Sequence, residues 1–427
     1  MRIAIRGGRL IDPAHGRDGR HDLYIAEGRV VGIDAPPGGF VPERSIDASG
    51  RIVCPGFIDL CARLREPGAE HKATIACETH AAARNGITTL VVPADTDPVI
   101  DETAVVELIR RRAEAAGFAH VLTLGALTRG LKGEHLAEMA ALKEAGCVGV
   151  GNALAPVAST LVLRRALEYA ASHGLTVFLT PLDPWLGATG CAHDGQIAAR
   201  LGLAGIPVAA ETAALGRDLA LIEETGVRAH IGRLSSARAC AMVARAQAEG
   251  LPVTADVSAH HLHLCEQDIG RFDANAHVLP PLRTLRDREA LRAAVASGTL
   301  LAVCSDHQPH EADAKLDPFG LTEPGISGLD TLLGLTLKLV DEGVLPLAEA
   351  IARITRGPAG VLGIDAGQLG IGAVADVCVF DPERHRALTA RTLASRGHNT
   401  PFLGWELRGE VTHTLLAGRV VYAHEGA

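Results

Sequence analysis

At 427 residues, with 47% apolar and 21% charged side chains, the chain lies far from the composition of disordered proteins and can bury a large core. Its net charge of −9 is spread without a long run of one sign, which excludes the electrostatic footprint of a nucleic-acid binder. Aromatic residues make up only 3%, so the core is expected to consist of Leu, Val, Ile and Ala with close backbone packing, as in helix-on-sheet folds.

The first 50 residues read as short strands separated by turns: RIAIRGGRLID, DLYIAEGRVVGID and RSIDASGRIVCPG. The opening MRIAIRGGRLIDPA has no apolar segment ahead of a small-residue cleavage site, and no apolar run of about 18 residues follows. A cytoplasmic protein without membrane contact is expected. From 54 to 365, apolar β-type runs (FIDL, ITTLVVP, HVLTLGAL, CVGVG, LTVFLTP, RAHIGR, PVTADVS and LLAVCSDH) alternate with amphipathic stretches such as ETAVVELIRRRAEAAG and LVLRRALEYAASHG. That rhythm predicts repeated βα units and a parallel sheet. Eight runs are what a closed (β/α)8 barrel requires, and its active site would lie at the C-terminal ends of the strands. The last 60 residues return to strand pattern in GAVADVCVFDP and ELRGEVTHTLLAGRVVYA. The expected fold is therefore α/β: a TIM-like barrel over 54–365 and a small composite β-sandwich domain from 1–53 and 366–427.

Nine cysteines are scattered along the chain, odd in number and never in C-x-x-C spacing. This argues against a disulfide framework and against a structural zinc knuckle. Barrel geometry places candidate chemistry just after each run: Cys61 and Arg63, Ala94, Asn152, Thr180, Arg233, His260 and His261, and the segment from Asp306 to His310. A catalytic zinc site needs several His, Asp or carboxylated Lys side chains converging on the metal. Only Asp306 and nearby histidines answer that need.

The stretches PGFIDL and LREPG (55–60 and 64–68), GITTLVVPADTDP (86–98), ALKEAGCVGV (141–150), HHL (260–262), PPLR (280–283), SDHQPH (305–310) and GLDTLL (328–333) follow one another along the whole chain. In this order they resemble dihydroorotase of the cyclic amidohydrolase group, within the amidohydrolase superfamily. The resemblance implies a barrel with a composite β domain and, in active members, zinc bound by two histidines after the first strand and by later histidines. Here the matching positions hold Cys61 and Arg63, then Thr180, then Arg233; of the metal shell only Asp306 remains, and the position of a carboxylated Lys or Asp falls near Gly149 to Ala153. Arg65 stands where the family's Arg holds the substrate carboxylate, and His310 where a loop histidine assists, whereas Ala94 replaces the family's Asn.

Arginine cannot be deprotonated to coordinate a metal, and threonine is a poor zinc ligand. No metal or other cofactor is expected, and Asp306 is read as vestigial. Arg63 or Arg233 should pair with Asp306, with Asp59 as a further partner. Competing readings are a metal site built from His260, His261 and His263, set against their use in packing, and a Cys61 nucleophile activated by Arg63, set against a drifted former ligand. The resemblance extends to bacterial relatives that lack the zinc ligands and associate with aspartate carbamoyltransferase. It implies a catalytically inactive subunit of pyrimidine biosynthesis, a pseudoenzyme that partners the aspartate carbamoyltransferase catalytic chain and is itself a dimer. The alternative is an active dihydroorotase, or another cyclic amidohydrolase, with an altered metal site.

Overall fold

The computed structural model describes residues 1–424. All eight apolar runs form strands of one parallel sheet, in chain order: Phe57–Asp59, Ile87–Val92, His120–Ala126, Gly149–Gly151, Val177–Leu179, Ala229–Ile231, Val253–Ser258 and Ala302–Cys304. Strands buried on both faces carry continuous apolar or β-branched residues, and Ile87–Val92 is buried at every position. The sheet closes through the residues just past its first and last strands. The Arg63 N–H donates to the His307 carbonyl at 2.9 Å, and the His307 N–H donates to the Cys61 carbonyl at 3.1 Å. The segment expected to carry chemistry thus also seals the barrel.

Helices cover the outside, and several begin at a hydroxyl cap. Thr74, Ser159, Ser236 and Thr284 accept from the backbone N–H groups of Cys77, Val162, Ala239 and Asp287. Each such cap contributes about 1 kcal/mol.

Strands from both chain ends make two further sheets. One holds Arg29–Ile33, Leu23–Ala26, Arg2–Arg6 and Arg44–Asp47; the other holds Arg419–Ala423, Glu406–Leu416, Val377–Ala387, Ile52–Pro55, Arg9–Asp12 and Arg17–Arg20. Ile52–Pro55 runs antiparallel to Val377–Ala387 and parallel to Arg9–Asp12, which ties the two ends of the chain together. Ile3 and Ile25 from the first sheet pack with Leu10, Val53, Val377 and Leu415 from the second in a core separate from that of the barrel. Only Gly56 separates Ile52–Pro55 from the first barrel strand, and a Cβ there would meet the Thr88 side chain at 2.2 Å. Among the described residues no helix is long and apolar enough to cross a membrane.

Candidate functional site

The mouth of the barrel is formed where the strands end, and the backbone there is bent sharply. Arg65, Arg233 and Asp306 adopt φ values of 64°, 58° and 46°, a left-handed conformation that costs a non-glycine residue about 1–2 kcal/mol. These bends place the last two residues' side chains in the mouth, against Cys61.

There, one carboxylate oxygen gathers four donors. Asp306 Oδ1 accepts from Arg233 Nη1 at 3.1 Å and from Arg63 Nη1, Cys61 Sγ and Gln308 Nε2, each at 3.4 Å. Arg233 Nη2 donates to the Thr180 hydroxyl, so Cys61, Arg63, Thr180, Arg233 and Asp306 form a single cluster. Burial would raise the Asp306 pKa, but Arg233 and Arg63 outweigh it and hold the carboxyl below the usual carboxylate range.

Asp59 does not join this cluster. Its carboxylate accepts from the Ser305 hydroxyl and from the Ser305 N–H at 2.8 Å, which pins the first strand to the last, and burial pushes its pKa up to about 6. The second negative charge comes instead from Asp95, whose Oδ2 accepts from Arg63 Nε at 2.9 Å. Two guanidiniums thus face two carboxylates. Asp256 receives the backbone N–H of Arg233 and lies 3.2 Å from His230 Nε2.

These residues do not fit a divalent cation. Among the described residues, no group of three or more His, Cys, Asp or Glu side chains is placed to hold one. The Thr180 oxygen is occupied by Arg233, and Arg63 Nη2 is buried without an acceptor. The mouth is short of acceptors and already supplied with positive charge. The fourth strand offers no ligand either, because a Cβ on Gly149 would lie 2.6 Å from the Phe178 ring and one on Gly151 would lie 2.7 Å from the Phe178 carbonyl oxygen. Two small openings remain at the mouth: a cavity of about 40 Å³ lined by Cys61, Phe178, Thr180 and Arg233, and one of about 100 Å³ lined by Arg63, Arg65 and Asp95.

A family model described as dihydro-orotase-like matches residues 50–239, and one described as amidohydrolase family matches residues 226–422. The chain is 50% identical over 426 residues to a dihydroorotase-like protein of Pseudomonas aeruginosa, covering 100% of both chains. It is 48% identical over 425 residues to a dihydroorotase-like protein of Pseudomonas putida, again covering 100% of both. The chain belongs to the dihydroorotase-like family. It is also 42% identical over 426 residues to a dihydroorotase of Geobacter sp., covering 99% of each. The L-hydantoinase (dihydropyrimidinase) of Arthrobacter aurescens shares the fold, with a TM-score of 0.88 at 23% identity over 100% of this chain and 96% of that one.

In this dihydroorotase-like chain, Arg65 and His310 are brought together, but they are bound to each other and to the protein. Arg65 Nε donates to the Pro309 carbonyl at 3.0 Å, and Arg65 Nη2 lies 3.1 Å from His310 Nε2. His310 Nδ1 lies 3.1 Å from Lys72 Nζ, which pairs with Glu323 at 2.6 Å. Burial, with Arg65 and Lys72 adding to it, pushes the His310 pKa down to about 2. The imidazole is therefore neutral at any physiological pH and cannot add a positive charge for an anion.

The remaining candidates are held by ordinary structural contacts. Ser258 Oγ lies 3.1 Å from His260 Nε2 and 2.6 Å from His261 Nδ1, and His263 Nε2 donates to the Leu335 carbonyl at 2.8 Å. Asn152 accepts from Thr128 and donates to the Leu131 and Ala155 carbonyls, tethering a loop. Burial pushes the Cys61 thiol up to about 12 despite the neighbouring arginines. Native protein at pH 8 should therefore leave Cys61 unlabelled by iodoacetamide while the denatured chain labels fully; peptide mass spectrometry reads the difference. Rapid native labelling would restore the nucleophile reading.

Proposed function

We propose that this dihydroorotase-like chain is catalytically inactive and serves as a structural subunit for the aspartate carbamoyltransferase catalytic chain, in the cytoplasm and as a dimer. The carrying observation is the Asp306 carboxylate neutralised by Arg63 and Arg233. Hydrolysis of a cyclic amide by the family's chemistry relies on a metal to generate hydroxide near neutral pH and to polarise the carbonyl. Neither function is available from two guanidiniums, a threonine and a thiol held in the protonated form. The barrel, its terminal sheets and its caps are nonetheless intact, which fits a role for the outer surface.

Co-expression with an aspartate carbamoyltransferase catalytic chain from the same genome should give co-elution in gel filtration, with carbamoyltransferase activity dependent on this protein. Separate elution together with full activity of the catalytic chain alone would end the proposal. The rival reading, an altered cyclic amidohydrolase, is favoured by the identity to proteins named dihydroorotase. It predicts dihydroorotate turnover by the purified chain that is lost in Asp306→Ala.

A further inference from the structure

We propose that a groove between the terminal sheets and the outer helices of the barrel binds an organic phosphate. The groove is a cavity of about 710 Å³ and shares no lining residue with the barrel mouth. Its size falls in the range of small-molecule sites, roughly 300–1,000 Å³. On a chain of net charge −9, its lining carries four arginines (Arg9, Arg20, Arg51 and Arg408) and one acid, Glu383.

Counting partners shows which charges are free. Arg9 is held by Asp18 at 2.6 and 2.9 Å, and Arg408 by Asp341 at 2.8 Å, with Glu383 at 4.0 Å. Arg51 donates to the backbone carbonyl of Asp47 at 3.2 Å, and its charge acts on the exposed Asp47 carboxylate without forming an ion pair. Among the described residues, the Arg20 guanidinium has no hydrogen-bond or ion-pair partner. The two arginines without an ion pair, Arg20 and Arg51, line the groove together with Ser49 and Gly50 of the turn closed by the 2.8 Å bond from the Arg51 N–H to the Ala48 carbonyl. A doubly charged phosphoryl group matches two guanidiniums in charge and in fork geometry.

Gly7 keeps that end accessible. A Cβ at this position, where φ is 75°, would lie 2.7 Å from Ser49 Oγ and 3.7 Å from Arg20 Nη2 and would stand between them. Beside the paired Arg9 and Arg408 and Glu383, the groove offers apolar side chains: Ile52, Pro382, Val340 on the helix Leu332–Asp341 and Leu347 on the helix Leu347–Ala352. A charged head at the Ser49 turn and an apolar or planar body along the helices describe a phosphorylated organic molecule better than free phosphate.

Isothermal titration of the full chain at low salt with a nucleoside triphosphate, ribose 5-phosphate and inorganic pyrophosphate tests this. At least one organic phosphate should bind more tightly than pyrophosphate. Arg20→Gln combined with Arg51→Gln should weaken it by roughly a hundredfold, two charge-assisted hydrogen-bonding groups being lost. The charge-matched control Arg129→Gln with Arg165→Gln should bind as the wild type does, and circular dichroism verifies that both variants fold. Which organic phosphate binds separates nucleotide from sugar phosphate. The proposal is overturned by no binding at ~1 mM ligand, a weak-affinity limit, by equal affinity for pyrophosphate, by unchanged affinity in the Arg20/Arg51 variant, or by capture of an acidic peptide in place of the phosphates. Because the groove shares no lining residue with the mouth, this result does not depend on whether the barrel centre is catalytic.

Discussion

Asp306→Ala is expected to lower the unfolding free energy by about 3–5 kcal/mol, the usual penalty for removing one member of a buried ion cluster. Asp306 is 1% exposed, and Arg63 and Arg233 beside it are each 5% exposed, so water cannot replace the lost carboxylate without opening the mouth. Asp95 would still meet Arg63, but Arg233 would lose its one ion pair among the described residues. Removing all three charges together, with Arg63→Met, Asp306→Leu and Arg233→Met, should be far milder, neutral or even stabilising by about 1–4 kcal/mol, because no fully buried ion is left uncompensated and Asp95, which loses Arg63, is partly exposed to water. The sign of the pH dependence follows from the depressed folded pKa of Asp306. Its contribution is fully present above the unfolded value of about 3.9 and is lost as pH falls through the lower folded value. The deficit of the alanine variant should therefore be full at pH 7 and shrink only in strong acid. Urea unfolding at both pH values measures this. A single variant as stable as the wild type would mean that the arginines do not depend on Asp306.

Much of this arrangement was legible in the sequence because strand ends are legible. Eight apolar runs fix eight strands, and a parallel barrel sends the residues after each of them to one face. Cys61, Arg63, Thr180, Arg233 and Asp306 could thus be placed together although the first and last are 245 residues apart. Asp59 was misplaced for a related reason. It shares the alternation of Cys61 and Arg63, but regular strand ends at Asp59 and the Ser305 hydroxyl and N–H take its carboxylate. Asp95 escapes the reading by resemblance, which singles out its neighbour Ala94. A charge count would have found it, since two buried guanidiniums need a second carboxylate beside Asp306. Lys72, Phe178 and the arginine groove leave no local mark in the sequence. They acquire meaning only through partners such as Glu323, Gly149 and Leu347, brought close by the folded chain.

The other large effect concerns metal. The purified chain should carry no stoichiometric zinc by elemental analysis and show no turnover of dihydroorotate with zinc added, and a chelator should leave its unfolding midpoint unchanged. At a separation of about 4 Å and an effective dielectric near 20, a dication and one guanidinium repel by about 8 kcal/mol, twice the value for two unit charges. Each arginine alone is then enough to weaken binding by roughly a millionfold, before the missing ligands are considered. Replacing Cys61, Arg63, Thr180 and Arg233 with histidine removes both cations and leaves Asp306 with four imidazoles, more than the three protein ligands that a catalytic zinc needs. That variant should bind zinc, and its unfolding midpoint should become sensitive to chelation. Asp95 would lose its arginine at small cost, because its carboxylate is 27% exposed and can be hydrated. A second ion should still be refused, because the Phe178 ring and carbonyl leave no room for a side chain on Gly149 or Gly151. Zinc bound tightly by the unaltered chain would show that the guanidiniums swing out of the mouth, and with that the electrostatic argument for a silent barrel would fail.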